Sequence, residues 1–526
     1  MTFSTTDYVV FLLYIASIIF MGLYVSRSKK GHKKDTSDYF LASKSLPWWA
    51  IGSSLIAANI SAEQFIGMCG SGFALGLAIA SYEWMAALTL IIVGKFFLPI
   101  FIKKEIYTMP QFLEKRFGLK VKYVMSVFWL VLYIVVNLTT IMWLGATAIH
   151  TLTGLSMMYG VVCLAAFAAL YSLYGGLKAV AMADIIQVVL LVCGGILISC
   201  IALGKIGDNG SVISGFGTLL TEIPDKFDMV LSRDNPEYKN LPGIGVILGG
   251  MWIMNLSYWG FNQYIIQRAL GAKNIREAQK GIIFAAFLKL LMPFIIVIPG
   301  IAAIMLAPEI GASATPAYDT AYPEMMKLAP VGIKGLIFAA LVAAIVSSLG
   351  SMINSISTIF TLDLYRPLID QNASETKLVN VGRTVSFLSL VFAIILAKPL
   401  LGNSPQVFQN IQNWTGFFTP GIVAIFFLGM FWKPTTELGG LVTVIGSVVL
   451  SLIWPAMFPE MPFMDRVGLV FLICLVMGIV VSFLKPESNL TKAINLNEVT
   501  FKTSNGFNLA TVTIVVGLIF LYAVWW

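Results

Sequence analysis

Long apolar runs dominate the chain. Fourteen of them are long enough, at roughly 20 residues each, to cross a lipid bilayer, and they are numbered here as segments 1 to 14. They lie near residues 8–26, 48–75, 78–102, 121–152, 156–175, 181–206, 244–270, 276–306, 331–362, 378–399, 405–431, 437–458, 465–484 and 507–526. The pattern predicts an all-α membrane protein with about fourteen transmembrane helices.

Two of these segments are interrupted by polar residues. Segment 2 contains "LIAANISAEQFIG" (55–67), and segment 7 contains "NLSYWGFNQ" (255–263). Such interruptions indicate broken helices, and an unwound backbone must line a cavity or meet polar neighbours, because hydrocarbon cannot satisfy its hydrogen bonds. The pattern therefore favours a binding site at mid-membrane. The alternative, that these polar residues only join helices to one another, stays open at this point.

The two interrupted segments are five segments apart, which indicates an internal repeat. Five is odd, so segments 7–11 must run through the membrane upside down relative to segments 2–6. The predicted organisation is a leading helix and cytoplasmic loop, a first inverted repeat, an external loop, a second inverted repeat and three additional C-terminal helices. These parts cover residues 1–47, 48–206, 207–243, 244–431 and 432–526.

Composition and charge agree with a membrane protein and set its orientation. The chain is 58% hydrophobic and 11% charged, with a formal net charge of +8, whereas soluble domains carry about 25% charged residues. Loops that follow odd-numbered segments hold 24 of the 34 Lys and Arg residues, and loops that follow even-numbered segments hold 8. Positive charge stays in the cytoplasm, which predicts a multi-pass cell (inner) membrane protein with both termini outside and no role in nucleic-acid binding.

No arrangement typical of an enzyme is visible. The five cysteines fall within apolar runs and the two histidines, His32 and His150, are far apart, so neither a disulfide framework nor a zinc site is indicated. The chain is therefore not expected to be an enzyme. Two long external loops, 207–243 and 307–330, allow two interpretations: short helices over the outer face, or solvated connectors.

Segment 9 offers oxygen ligands for an alkali cation. Its sequence "LVAAIVSSLGS" (341–351) places two hydroxyls, Ser347 and Ser348, next to each other among small residues. A serine in a membrane helix commonly bonds back to its own helix. Beside carbonyls freed by the break in segment 2, however, these hydroxyls would complete a set of neutral oxygens that suits sodium.

Three ionisable residues within the membrane require a reason, because a buried charge costs at least about 2.5 kcal/mol. They are Glu83, Asp184 and Lys289. Glu83 and Lys289 either pair with each other or also contact a polyhydroxylated solute, to which a carboxylate accepts and an ammonium donates. We favour solute contact because amide side chains accompany them in neighbouring segments: Gln64, Asn137, Asn255 and Gln412. Tyr258 would stack on a sugar from one side, with Met68, Tyr82 and Phe408 on the other.

Six stretches resemble the sodium:solute symporter family, of the sodium/glucose cotransporter type, and most closely its bacterial sodium/galactose branch. They are "AANISAEQFIGM" (57–68), "ASYEWM" (80–85), "YSLYGGLKAVAMADIIQ" (171–187), "YWGFNQYIIQR" (258–268), "AAIVSSL" (343–349) and "KLVNVGRT" (377–384). The resemblance implies a leucine-transporter-type five-plus-five inverted repeat whose first helices are broken. It also implies alternating access driven by sodium.

The resemblance also implies roles for individual residues. Sodium would be held by backbone oxygens of Ala57, Ile60 and Ala344 and by the hydroxyls of Ser347 and Ser348. The sugar would contact Gln64, Glu83, Asn137, Asn255, Lys289 and Gln412. Asn59 would couple the two sites, Tyr258 would be the inner gate, Met68, Tyr82 and Phe408 would form the outer gate, and Asp184 would lie on the sodium exit path.

Three departures from the family pattern bear on specificity. Ala86 stands where a galactose-transporting member has a serine, and Ser257 replaces a tyrosine beside the gate. Gly350 lacks the hydroxyl found in members with a second sodium site, which favours one sodium per cycle. The expected function is sodium-driven uptake of a neutral hexose such as galactose or glucose. The alternatives are a transporter of myo-inositol or another polar solute and, less favoured, a channel.

Overall fold

The computed structural model of the protein describes residues 3–25, 46–106, 108–172, 177–310, 318–404, 406–487 and 492–526. Within these ranges the chain is helical, and β-structure is limited to one isolated bridge between Leu46 and Ala272. Each of the fourteen predicted segments is formed by helices, so the all-α prediction is confirmed.

Segments 1 to 7 contain both straight and interrupted helices. Segment 1 is Thr5–Val25; segment 2 is Trp48–Asn59, a π-helical turn Glu63–Met68 and Cys69–Leu75; segment 3 is Ser81–Ile92, Val93–Phe97 and Leu98–Lys103. Segment 4 is Leu119–Val131, Leu132–Leu138 and Thr139–Thr153; segment 5 is Met157–Ser172; segment 6 is Leu177–Ile206. Segment 7 is Ile244–Leu248, Gly250–Leu256, the π-helical turn Ser257–Phe261 and Gln263–Leu270.

Segments 8 to 14 are mostly single helices. Segment 8 is Ile275–Ile310, segment 9 is Ile333–Thr358 followed by the π-helical Ile359–Tyr365, segment 10 is Glu375–Leu401, and segment 11 is Val407–Thr415 with Thr419–Phe431. Segments 12, 13 and 14 are Glu437–Met457, Phe463–Leu484 and Asn505–Val524. Nine helices of the described part are long and apolar enough to span a membrane by themselves, or ten if the two halves of segment 11, bent by 42°, count as one.

The helices of the repeat region form the core. Segment 8 packs against both halves of segment 2 and against segments 3 and 6, and segment 9 packs against segments 1, 5 and 6. In segment 9, 94% of its most apolar stretch is buried, compared with 17% in segment 14. The C-terminal helices are therefore peripheral and face lipid, whereas segments 2, 8 and 9 line the interior.

Glycines allow the closest helix contacts around segment 2. A Cβ on Gly70 would lie 2.6 Å from the carbonyl oxygen of Tyr318, and one on Gly300 would lie 2.2 Å from the carbonyl oxygen of Cys69. A side chain at either position would push these backbones apart, because real Cβ atoms do not approach so closely. The outer half of segment 2 is thus held tightly between segment 8 and the residues that follow it.

Both long external loops form short helices over one end of the bundle, which confirms the first of the two interpretations. Loop 207–243 contains Val212–Glu222 and Pro224–Lys226, and loop 307–330 contains Tyr318–Thr320 and Ala321–Met326. The face of the bundle that bears these loops is called the outer face below. The Lys226 ammonium donates to the carbonyl of Ala74 at 2.6 Å and so caps the outer end of segment 2.

Asp7 joins segment 1 to segment 9. One oxygen of its buried carboxylate accepts from the backbone N–H groups of Gly332 and Gly335, at 2.8 and 3.1 Å. These N–H groups belong to the N-terminal end of segment 9, where a helix has no internal acceptors for them and favours negative charge. The first helix is therefore fixed to the helix that carries Ser347 and Ser348.

Candidate substrate and sodium site

The break in segment 2 falls at the predicted position. The first helix ends at Asn59, and Ile60 has ψ 88°, outside the helical range, before the chain resumes as the π-helical turn Glu63–Met68. The last carbonyls of a helix lack intrahelical partners. The break therefore leaves backbone oxygens near residues 57–59 available to neighbouring groups.

Segment 7 is interrupted too, four residues beyond the predicted gate. Tyr258 lies within the π-helical turn Ser257–Phe261, and the chain becomes extended at Asn262, with φ −85° and ψ 121°. The Asn262 side-chain oxygen accepts from the Tyr133 hydroxyl at 2.6 Å, and that hydroxyl accepts from the backbone N–H of Gln263 at 3.0 Å. A side chain of segment 4 thus satisfies the opened backbone, as an interruption within a membrane requires.

Lys289 connects the segments at the centre of the bundle. Its ammonium donates to the Glu83 carboxylate at 2.5 Å and also to the side-chain oxygen of Asn59, and it lies 5.0 Å from the centre of the Trp259 ring. Asn59 in turn donates to the Tyr258 hydroxyl at 3.1 Å. One ammonium therefore joins segments 8, 3 and 2, and Asn59 extends the connection to segment 7.

All of the predicted substrate, coupling and gate side chains line a single cavity. Its walls include Asn59, Gln64, Met68, Tyr82, Glu83, Asn137, Asn255, Tyr258, Lys289, Phe408 and Gln412. The lining mixes carboxylate, ammonium and amide groups with aromatic rings. Such a surface offers a polyhydroxylated ring both hydrogen-bond donors and acceptors and flat faces for stacking.

Glu83 and Lys289 form the ion pair that one of the two interpretations predicts, and their contact with a solute stays a prediction. They pair with each other, and both also line the cavity. Each has further hydrogen-bonding capacity, because a carboxylate offers several lone pairs and an ammonium three hydrogens. The ion pair can hold the bundle together and still present polar atoms to a solute.

Aromatic residues close the cavity toward the outer face. The rings of Tyr82 and Phe408 meet edge to face with centroids 5.3 Å apart, and Met68 is fully buried beside them. Segment 2 approaches Phe408 closely, since a Cβ on Gly67 would lie 3.1 Å from the Cβ of Phe408. The outer half of segment 2 and the first half of segment 11 are thus in contact.

Tyr258 is anchored from two directions. Its hydroxyl accepts from Asn59 at 3.1 Å and from the Tyr264 hydroxyl at 2.8 Å. The ring is half-buried and lines the cavity. A displacement of the Asn59 side chain would therefore alter a hydrogen bond of the Tyr258 hydroxyl directly.

Segment 9 contacts the end of the first helix of segment 2 through Ser348, one of the predicted sodium ligands. Ser348 donates to the carbonyl of Ala58 at 3.5 Å, one residue from the predicted ligand Ala57. Neutral oxygens from a helix end and from hydroxyls form a donor set that fits sodium. The predicted ligands are all buried: Ala57, Ile60, Ala344, Ser347 and Ser348. Asp184 lies in helix Leu177–Ile206, but its side chain falls outside the described residues.

The cavity also contains polar residues to which the sequence analysis gave no role. Glu63, Trp259 and Asn262 line it, and one carboxylate oxygen of Glu63 is buried without a hydrogen-bond partner among the described residues. The signal that could have found them was the polar interruption itself, since all three lie within or beside the quoted stretches. Ala86 and Ser257, the two departures from the family pattern, line the cavity as well.

Sequence comparison identifies the family of the chain. Residues 39–446 match the profile of the sodium:solute symporter family. The chain belongs to the sodium:solute symporter family. A sodium/glucose cotransporter of Vibrio parahaemolyticus is 50% identical, over 99% of this chain and 98% of that protein. The human sodium/myo-inositol cotransporter 2 is 35% identical, over 85% of this chain and 69% of that protein.

Structural comparison confirms the fold of this family member. A Na+-coupled sialic acid symporter in a substrate-bound outward-open state superposes with a TM-score of 0.79, at 24% identity, and covers 92% of this chain and 100% of that chain. The protein therefore has the leucine-transporter-type fold expected for the family. The prediction of broken first helices in each repeat agrees with the observed breaks at Ile60 and Asn262.

Proposed function

We propose that the protein is a secondary active symporter that couples inward sodium flow to uptake of a neutral hexose such as galactose or glucose. The observation that carries the proposal is that every predicted substrate, coupling and gate side chain lines one cavity between two broken helices. Membership of the sodium:solute symporter family and the similarity to a sodium/glucose cotransporter support it.

Sodium is proposed to act by fixing segment 2 against segment 9. The ion would bind backbone oxygens of segment 2 and the hydroxyls of segment 9 named above, next to the observed contact between Ser348 and Ala58. This binding would set the position of Asn59, which lies at the end of the same helix and contacts both Lys289 and Tyr258. Ion binding would thereby order the cavity for the sugar.

The sugar is proposed to bind between the polar pair and the aromatic residues. Glu83 would accept from sugar hydroxyls, Lys289 would donate to them, and Gln64, Asn137, Asn255 and Gln412 would supply amide contacts. Rearrangement of Tyr258 would open the inner side, and separation of Met68 and Tyr82 from Phe408 would open the outer side. Asp184 is proposed to lie on the path by which sodium leaves.

One sodium per cycle is sufficient energetically. A single charge that moves through about 100 mV gains roughly 2.3 kcal/mol, and a tenfold sodium gradient adds about 1.4 kcal/mol. Together they could concentrate a neutral sugar several hundredfold.

We further propose that the protein resides in the cell membrane with both termini outside, because Lys and Arg are concentrated in the loops after odd-numbered segments. The protein would carry its substrates unchanged, without enzymatic activity.

Uptake into proteoliposomes tests the proposal. Labelled galactose and glucose should accumulate only with an inward sodium gradient, saturate with concentration and emerge chemically unchanged. Accumulation that is independent of sodium, or ion currents without saturable sugar uptake, would contradict symport.

A competition panel identifies the solute more closely. The relatives at 35% identity include sodium/myo-inositol cotransporters, and Ala86 and Ser257 change the cavity wall relative to the galactose-transporting pattern. If myo-inositol displaces labelled galactose at much lower concentration than glucose does, the substrate is a cyclic polyol rather than a hexose.

A further inference from the structure

Asp319 lies between the two sides of the outer gate. One side is the outer half of segment 2, and the other is helix Val407–Thr415, which carries Phe408. Asp319 belongs to the short helix Tyr318–Thr320 in loop 307–330, which the sequence analysis connected with no function. Its side chain is 6% exposed. One carboxylate oxygen accepts from the backbone N–H of Val407 at 3.1 Å, and the other is buried without a hydrogen-bond partner in the described part of the chain.

The bond to Val407 compensates for a missing cap. Val407 is the first residue of helix Val407–Thr415, and the preceding Gln406 makes no side-chain capping bond. N-terminal N–H groups need acceptors from outside the helix and favour an anion. Asp319 supplies the acceptor, from a loop that precedes this helix by 88 residues. Helix Val407–Thr415 carries Phe408 of the outer gate and the cavity residue Gln412.

The same loop also packs against the outer half of segment 2. Tyr318 lies over Gly70 of segment 2, at the close approach described above, and the Tyr322 ring contacts the Phe65 ring with centroids 5.0 Å apart. Residues 318–326 thus contact the outer half of segment 2 through apolar surfaces and segment 11 through the Asp319 carboxylate. If the outer half of segment 2 separates from helix Val407–Thr415, one of these connections must break, and the hydrogen bond to Val407 involves fewer atoms than the apolar contacts.

We propose that Asp319 is a positioning residue of the outer gate, whose bond to Val407 holds the Phe408 helix against segment 2 and is broken when the cavity opens outward. This inference rests on the proposed alternating-access function. Asp319 contacts neither the cavity nor the sodium ligands, so it would act through the position of helix Val407–Thr415.

Cys69 is a native reporter for this step. It is fully buried in the outer half of segment 2, next to Gly70. A membrane-impermeant methanethiosulfonate, applied from outside to oriented vesicles that contain the full chain, should modify Cys69 only when the gate opens. Peptide mass analysis distinguishes Cys69 from the other four cysteines, so that no background substitutions are required.

We expect Asp319→Ala to increase the rate of Cys69 modification at least tenfold. At pH 6, Asp319→Asn, which keeps an acceptor oxygen for Val407, should restore most of the wild-type rate, a rescue that loss of folding alone would not produce. Glu324→Gln is the matched control, because Glu324 lies in the same loop and pairs with Lys327 rather than with segment 11. Its rate should equal that of the wild type.

An Asp319→Ala protein that is modified at the wild-type rate would overturn the proposal. So would an Asp319→Asn protein that behaves like Asp319→Ala, because the hydrogen bond would then not be the relevant contact. The modification assay contains no sugar. Failure of sugar uptake would therefore refute the proposed substrate, whereas an unchanged Cys69 rate would refute only the role of Asp319.

Discussion

Lys289 and Glu83 are 206 residues apart in the chain and meet at 2.5 Å inside the helix bundle. Both side chains are almost completely buried. A buried ion pair of this kind is costly to break by removal of one partner, because an uncompensated charge remains. The pair therefore has a structural role that must be separated experimentally from the proposed contact with sugar.

A double substitution separates these two roles. Lys289→Met leaves Glu83 without its cation and should destabilise the protein by roughly 3–5 kcal/mol, whereas Glu83→Gln combined with Lys289→Met removes both charges and should recover most of the thermal stability. Sodium-driven sugar uptake should fall at least about a hundredfold in both proteins if the pair contacts sugar. Uptake that recovers together with the melting temperature would show a purely structural role.

Ser348→Ala should weaken sodium binding selectively. Loss of one hydroxyl ligand is expected to raise the sodium concentration for half-maximal uptake about tenfold, since an oxygen that contacts a cation contributes on the order of 1.5 kcal/mol. Ser355→Ala provides the control, because Ser355 lies on the same helix, is also buried and donates to the Ser351 carbonyl one turn earlier. Equal sodium dependence in the two variants would remove Ser348 from the proposed site.

Ala86→Ser should improve galactose binding. Ala86 lines the cavity, and a hydroxyl there would add one hydrogen bond worth about 0.5–1.5 kcal/mol, which lowers the galactose KM roughly two- to tenfold. Ala87→Ser is a matched control, since Ala87 is buried but does not line the cavity. If Ala86→Ser leaves the KM for galactose unchanged, the sugar does not reach this wall.

External pH should act on the outer gate through Asp319. Burial raises the pKa of Asp319 from 3.8 to about 7 in the closed structure, and outward opening would return it toward its ordinary value. The closed state then binds a proton that the open state releases, so acid favours closure. When the external pH falls from about 8 to about 6, the ratio of closed to open protein should rise about tenfold.

The measurement compares two proteins at both pH values. The ratio of Cys69 modification rates, wild type over Asp319→Asn, removes the pH dependence of the reagent, which both proteins share, and should fall about tenfold on acidification. A constant ratio would assign any pH dependence to other groups. Besides Asp319, the titratable residues of this loop include Tyr318, Tyr322, Glu324 and Lys327. Those on the segments packed against it include Glu63, Cys69, His150, Lys205, Lys289 and Lys334.

The sequence predicted the broken helices because polar residues are conspicuous in apolar segments. Asn59 and Gln64 indicated the break in segment 2, and the cluster around Tyr258 indicated the one in segment 7. The observed breaks at Ile60 and Asn262 follow from this signal. Polar residues within an apolar segment thus indicate where a membrane helix is interrupted.

The connections between distant segments were harder to obtain from the sequence. The Lys289–Glu83 pair is one of the two interpretations that the sequence allows, because few partners exist for a charge in the membrane. The bond from Asp319 to Val407 was not expected, because a loop carboxylate in water needs no partner and only the folded structure buries it. Tyr133 was missed for a related reason: a tyrosine in an apolar helix looks like ordinary packing until its hydroxyl meets an opened backbone.

The bond network of Asp7 has a consequence for how the molecule moves. The carboxylate on the first helix holds two amides at the start of the helix that bears Ser347 and Ser348, so we expect these two helices to move as one unit. A fluorophore on the leading helix would then register displacement of the helix proposed to bind sodium, although the leading helix contributes none of the described residues that line the cavity.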